Sequence, residues 1–226
     1  MSKTTLLKAM AVILMMGVGM NATAGWFGLG GTSWKEEVLL HDGGRIMVER
    51  WHKRGGRHEI SSGPPVKEQS IALTLPGMTK TVTWQDEYSE EIGSANFVPL
   101  ALHILNGTPY IVAEPYGCIA YNKWGRPNPP YVVFTHDGKS WQRIQLSELP
   151  QEFKTINLVI GTSNAEKKLD TLGTVPAAEI EKMNRDYTQP QYRSILREGL
   201  AEQALCPDWN SSRYTSPKAP NVPAKK

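Results

Sequence analysis

The sequence predicts a mainly β protein: an antiparallel meander of about four hairpins, closed as a sandwich, barrel or propeller-like array, then a small C-terminal α-helical segment. Three observations carry that prediction. Apolar and polar residues alternate in runs between positions 36 and 146, the period of strands with one buried face. Glycine turns at Gly43, Gly77, Gly107 and Gly138 interrupt those runs about every 30 residues. After Leu146 the apolar spacing becomes helical.

The first hairpin sets Val38 and Leu40 against Ile46 and Val48 around Asp42-Gly43-Gly44. The second alternates through Ile71, Leu73 and Leu75, turns near Pro76-Gly77 and returns through Val82 and Trp84. The third runs from Phe97 to Leu105, turns at Asn106-Gly107 and returns as Tyr110-Ile111-Val112-Ala113. Both of its faces are apolar, which predicts a central position. The fourth runs over 131–135, turns at Asp137-Gly138 and returns over 141–146. Asn-Gly and Asp-Gly suit tight hairpins because the turn needs φ > 0, which glycine accepts without a Cβ clash.

Domain boundaries follow: a β-hairpin domain over 25–146, a helical segment packed on it over 147–207, and a flexible Pro/Ser/Lys-rich tail over 208–226. Ser163 and Glu166 have the spacing of a capping box before a helix over 164–172. Pro176 opens another, carrying Ile180 and Met183 to about Asp186. Thr188 is placed to cap the clearest helix, with Gln191 three residues on and Tyr187/Tyr192 as a staple. Its apolar face is Tyr192, Ile195, Leu196, Gly199, Leu200 and Gln203/Ala204, and Pro207 ends it.

Residues 1–24 read as a cleavable signal peptide: Lys3 and Lys8, an apolar run over 9–20, then Ala22-Thr23-Ala24 before the cut. The apolar run is shorter than the roughly 20 residues a spanning helix needs. The expected location is therefore periplasmic or secreted, and the processed chain is not an integral membrane protein. Loss of Lys3 and Lys8 leaves 23 basic against 22 acidic residues, which removes the argument for a nucleic-acid partner. Only Cys118 and Cys206 are present, and in an oxidising compartment they are expected to pair.

Several catalytic patterns fail. Gly138-Lys139-Ser140 lacks the upstream glycine of a phosphate loop, where Val133 stands. His58-Glu59 is followed by Ser62 where a zinc-protease pattern needs its second histidine. No cofactor and no metal site are implied. Thr135-His136-Asp137-Gly138-Lys139-Ser140-Trp141 resembles the Asp-box hairpin of sialidase-like propellers, one residue short between Asp and Trp. In that family the box is structural, so the resemblance implies a hairpin and carries no catalytic residue.

Two segments are candidate binding sites. The weaker is the basic stretch Arg50, Trp51, Lys53, Arg54 and Arg57, which would hold anions beside a stacking indole. The stronger lies between Tyr116 and Tyr131, where prolines and Gly125 predict a stiff extended loop. Tyr121, Asn122, Trp124, Arg126, Asn128 and Tyr131 would there present aromatic faces beside hydrogen-bonding groups. His103, in the apolar third hairpin, reads as a core or edge histidine. The function expected is a soluble exported, non-catalytic binding or accessory protein for a protein or envelope-glycan partner. The alternatives are an envelope-polymer hydrolase, with a site assembled from distant residues such as Asp86, Glu87 and Glu114, or a periplasmic inhibitor or immunity-type protein.

Overall fold

Two antiparallel meanders, each made of two of the expected hairpins, form the two sheets of this chain. The computed structural model describes residues 30–60, 62–77, 79–201 and 205–208. The expected signal over 1–24 and the tail beyond 208 lie outside the described residues. The first sheet contains β1 (Thr32–Leu39), β2 (Arg45–Arg54), β3 (Val66–Thr74) and β4 (Thr81–Asp86). The second contains β5 (Phe97–Leu105), β6 (Thr108–Pro115), β7 (Val132–His136) and β8 (Trp141–Ile144). A two-residue strand, β9 (Thr174–Val175), pairs in parallel with β1. The orders are β4-β3-β2-β1-β9 and β5-β6-β7-β8, so neither sheet closes into a barrel.

The alternation that predicted the strands decides which face meets which. Val38, Val48, Ile71, Leu73 and Trp84 from the first sheet pack with Phe97, Leu102, Ile111, Ala113 and Phe134 from the second. That shared interior makes the arrangement a sandwich. A second apolar cluster covers the other face of β5–β8, where Leu100, Ala101, Val112 and Val133 meet Leu149, Phe153, Ile160 and Ile195. The register shift between Pro99 and Ala101 puts Leu100 and Ala101 in that same outer cluster.

The third hairpin is buried on both faces, as its composition requires, but β5 is an edge strand and not a central one. Its open edge is covered by the chain over 157–158, whose backbone N–H groups donate to the Leu100 carbonyl. Asn184 pairs similarly with that returning chain, accepting from Ile160 N–H and donating to the Leu158 carbonyl.

Among the described residues, α1 (Gly117–Lys123) lies between β6 and β7, α2 (Thr162–Leu172) between β8 and β9, and α3 (Ala177–Met183) and α4 (Pro190–Arg193) follow β9. Leu169 of α2 and Ile180 of α3 cover Trp34, beside Val159 and Val175. The 147–207 segment is thus partly sheet, through β9, as well as helical. No described helix is long and apolar enough to cross a membrane.

Two helix expectations need correction. The capping box before α2 does not form: Gly161 is the cap residue, and Glu166 turns away to bond Thr32 Oγ1, His52 Nε2 and Arg54 Nε. Charge-assisted bonds to inward-facing groups of the sheet outweigh a local cap. The long helix after Thr188 is one turn, α4, and Ser194 is already extended at φ −156°.

Its backbone groups find tertiary partners instead of helical ones. Ile195 N–H donates to the Lys154 carbonyl, and Tyr131 Oη donates to the Gln191 and Ser194 carbonyls. The Arg197 guanidinium donates to the carbonyls of Leu146, Leu149, Pro150 and Phe153. Ile195 and Leu196 still reach the outer cluster, so the apolar pattern marks burial without a helix. Gln203 and Ala204 lie outside the described residues.

Candidate functional site

The Cys118–Cys206 disulfide is formed, with an S–S distance of 2.06 Å. It joins α1 to the chain after α4, and everything expected of the 116–131 segment is organised by that junction. The segment begins as α1, not as an extended loop. Tyr121, Trp124 and Tyr131 are only 4, 6 and 4% exposed. Trp124 packs 4.5 Å from Phe97 in the sandwich interior, and its Nε1 donates to Asn96 Oδ1. The rings lie inward because aromatic area is worth most when removed from water.

The polar members of the segment are engaged within the chain. Arg126 donates to the Cys206 and Pro207 carbonyls at 3.0 and 2.9 Å and to Asn122 Oδ1. Asn122 also donates to the Cys118 carbonyl. Asn128 pairs with both backbone groups of Leu200. These hydrogen-bonding groups hold the chain's own C-terminal strap (residues 187–201 and 205–208), and among the described residues the rings of Tyr121, Trp124 and Tyr131 form no exposed platform.

The basic stretch does not converge either. β2 alternates its side chains, so Arg50, His52 and Arg54 share the inward face and Trp51 and Lys53 take the other. Arg50 is buried against Glu36, at 3.1 Å, beneath the Trp34 ring. Glu36 also accepts from Trp34 Nε1 and Val159 N–H, which completes its buried carboxylate. Arg54 is held by Glu166 and the Pro64 carbonyl, while Arg57 reaches the Glu90 carbonyl. His52 is buried and His58 exposed, and no cluster of three or more metal-ligating side chains occurs among the described residues.

The concave feature that does gather chemistry lies beside the disulfide. A cleft of about 330 Å³ opens between the outer edge of β5–β6, the start of α1 and the strap. Glu114 and Val98, directly paired across β6 and β5, form one side. Tyr116 and Tyr121 come from α1 and its approach, Tyr187, Gln191 and Tyr192 from the strap, and Cys206 from the disulfide.

Glu114 is its chemical centre. Tyr192 Oη donates to Glu114 Oε2 at 2.5 Å, and the Gln191 side chain bonds the same carboxyl. Burial raises the Glu114 carboxyl above its ordinary range, and those two donors only partly oppose it. Burial, then the charge of Glu114, raises the Tyr192 phenol, so it stays a donor. Among the described residues no basic side chain pairs with Glu114. Tyr187 and Tyr192 meet edge to face, with ring centroids 5.7 Å apart. Tyr121 keeps its hydroxyl buried without a hydrogen-bond partner.

Gly161 closes the floor at φ +65°, where a Cβ would fall 1.5 Å from Tyr187 Oη. The adjoining recess of about 80 Å³ shares Val98, Tyr116 and Gly161 and reaches Arg50. Of the cleft residues, the sequence singled out Tyr121 and Cys206 for this region, and Glu114 only as half of a hydrolytic pair. A lone carboxylate after the apolar run Ile111-Val112-Ala113 was the available signal. Asp86 is committed elsewhere, accepting from Gln69, from the Asn96 side chain and backbone, and from Phe97 N–H. Comparison with family models, with curated proteins and with solved structures yields no match for this chain.

Proposed function

We propose that the chain is an exported, non-catalytic binding protein whose tyrosine-lined cleft holds a small polar ligand or the end of an envelope glycan or peptide. The observation that carries this reading is the convergence of Glu114, Gln191 and two edge-to-face tyrosines in one concave site. Export is supported by the signal-like pattern over 1–24 and by the disulfide, which belongs to an oxidising compartment.

Binding is favoured over hydrolysis by the lining itself. The described residues around the cleft include one carboxyl and no His, Ser, Thr or Lys, so the carboxylate pair of most glycoside hydrolysis is not assembled among them, and the Tyr192 phenol beside Glu114 is raised by burial, which keeps it a hydrogen-bond donor. The test is a binding screen on the oxidised chain from residue 25 onward, against envelope glycan and peptide fragments, read by thermal shift and calorimetry. A fragment that raises the melting point in wild type, but not in Tyr187→Ala, supports the reading. Turnover of an envelope polymer that disappears in Glu114→Gln would replace it with the hydrolase.

A further inference from the structure

Glu114 presents an electrostatic imbalance. Its carboxylate is half-buried and, among the described residues, receives hydrogen bonds from the neutral groups of Tyr192 and Gln191. The other inward-facing acids are more fully answered: Glu36 has Arg50, Glu166 has Arg54 and His52, and Asp86, which also lacks a cation, accepts from four neutral donors where Glu114 has two. The nearby cations are already committed. Arg50 belongs to Glu36, Lys123 lies against Glu91 and Ser89, and Arg126 bonds the Cys206 and Pro207 carbonyls.

The walls point the same way. Tyr187 and Tyr192 both line the cleft and stand nearly perpendicular, at 78°. Aromatic faces carry negative potential and attract cations, most effectively where water is excluded. Tyr121 contributes otherwise: its ring already carries Arg126, at 5.3 Å, but its buried hydroxyl oxygen is free to accept a hydrogen bond. An anionic ligand would meet Glu114 with like charge. A neutral sugar would satisfy hydrogen bonds yet leave the carboxylate uncompensated.

We infer that the cleft takes the alkylammonium end of its ligand, with Glu114 as counter-ion and Tyr187 and Tyr192 as the aromatic walls. This rests on the cleft being a binding site, as proposed above. Tyr192 has a second role: its hydroxyl fixes the carboxylate while its ring forms part of the wall. A ligand ammonium would supply the charge partner that no described residue provides.

The probes are choline, n-butylammonium and 3,3-dimethyl-1-butanol, the last being the neutral shape analogue of choline. Each is titrated into the oxidised protein by calorimetry, with thermal shift as the second readout. At least one of the two cations should bind about tenfold or more tightly than the alcohol, the scale of one desolvated cation–π and ion-pair contact. A preference for choline would identify a quaternary ammonium, and a preference for butylammonium a primary amine that bonds Tyr121. Glu114→Gln should abolish the discrimination between cation and alcohol while leaving the melting point near that of wild type.

Binding of neither cation more tightly than the alcohol would overturn the inference, since shape and not charge would then decide. So would failure of both cations when a glycan or peptide fragment binds in the screen, and there the binding-site reading would stand. If no probe and no fragment binds, both readings fall.

Discussion

The side-chain amide of Asn157 pairs with the backbone of Leu102 as a neighbouring strand would. Leu102 N–H donates to Asn157 Oδ1 at 2.8 Å, and Asn157 Nδ2 donates to the Leu102 carbonyl at 2.7 Å. The same Nδ2 donates to the Leu39 carbonyl at the end of β1, so one amide serves both sheets. An edge strand ordinarily exposes a row of unpaired backbone groups. Here the Asn157 side chain, beside the 157–158 backbone N–H groups on the Leu100 carbonyl, covers the β5 edge and ties it to the first sheet.

Asn157→Ala should therefore cost far more than its volume suggests. It strands an N–H and two carbonyls, at about 1–3 kcal/mol for each buried unsatisfied group. The expected loss is about 3–5 kcal/mol in urea unfolding at neutral pH. Asn157→Asp should be at least as harmful, because it sets a carboxylate oxygen against two carbonyls. A loss below about 1 kcal/mol in the alanine variant would mean that water replaces the amide without penalty.

The disulfide makes a second prediction. Cys118 and Cys206 are separated by 88 positions, a loop whose closure is worth about 4–5 kcal/mol in the chain-entropy limit. Replacing both cysteines with serine should lower stability by about 2–4 kcal/mol, since Arg126 still holds the Cys206 and Pro207 carbonyls. Ligand affinity should fall as well, because Leu205 and Cys206 wall the cleft. Intact mass after alkylation without reductant should show no modified cysteine, and two adducts would refute the bond in the native protein.

What could be read from the sequence was what short stretches decide. Val38 and Val48 alternate with polar neighbours, and Gly43 and Gly107 adopt the positive φ their turns need, so the hairpins follow from residues close in the chain. The Asp137 hairpin is similar: its Oδ1 accepts from Lys139 and Ser140 N–H. The strap failed as a helix for the opposite reason. Its backbone partners, Tyr131, Lys154 and Asn128, lie far away in sequence, and local spacing carries no record of them. The cleft is equally non-local, since Tyr192 and Glu114 are 78 residues apart.

Acid should destabilise the fold through its buried histidines. Burial pulls His103 from its ordinary 6.5 to about 4, although its Nε2–H donates to the Thr155 carbonyl. Burial also lowers His52, against the opposing pull of Glu166. Below pH 6.5 the unfolded chain takes up these protons and the folded chain does not, so stability falls as pH falls towards 4. His103 alone is worth about 3 kcal/mol across that window. Buried Asp86 and Glu114, both raised, act in the opposite sense as they protonate. Melting points from pH 7 to 4 should drop steeply in wild type and less steeply in His103→Gln. Parallel curves for the two proteins would remove His103 as the cause.

Both ends of α2 are glycines at positive φ, Gly161 at +65° and Gly173 at +63°, and they separate backbone strain from cleft geometry. Alanine at either position is strained, by about 1–2 kcal/mol. At Gly173 the added Cβ meets nothing within 4 Å. At Gly161 it would lie 1.5 Å from Tyr187 Oη and 2.6 Å from Cζ, so the ring must move. Gly173→Ala should lower the melting point and leave ligand affinity unchanged. Gly161→Ala should lower both, because Tyr187 is one of the two rings that meet edge to face in the cleft. Equal affinity in the two variants would show that the position of Tyr187 does not govern recognition, and would move the site away from the tyrosine corner.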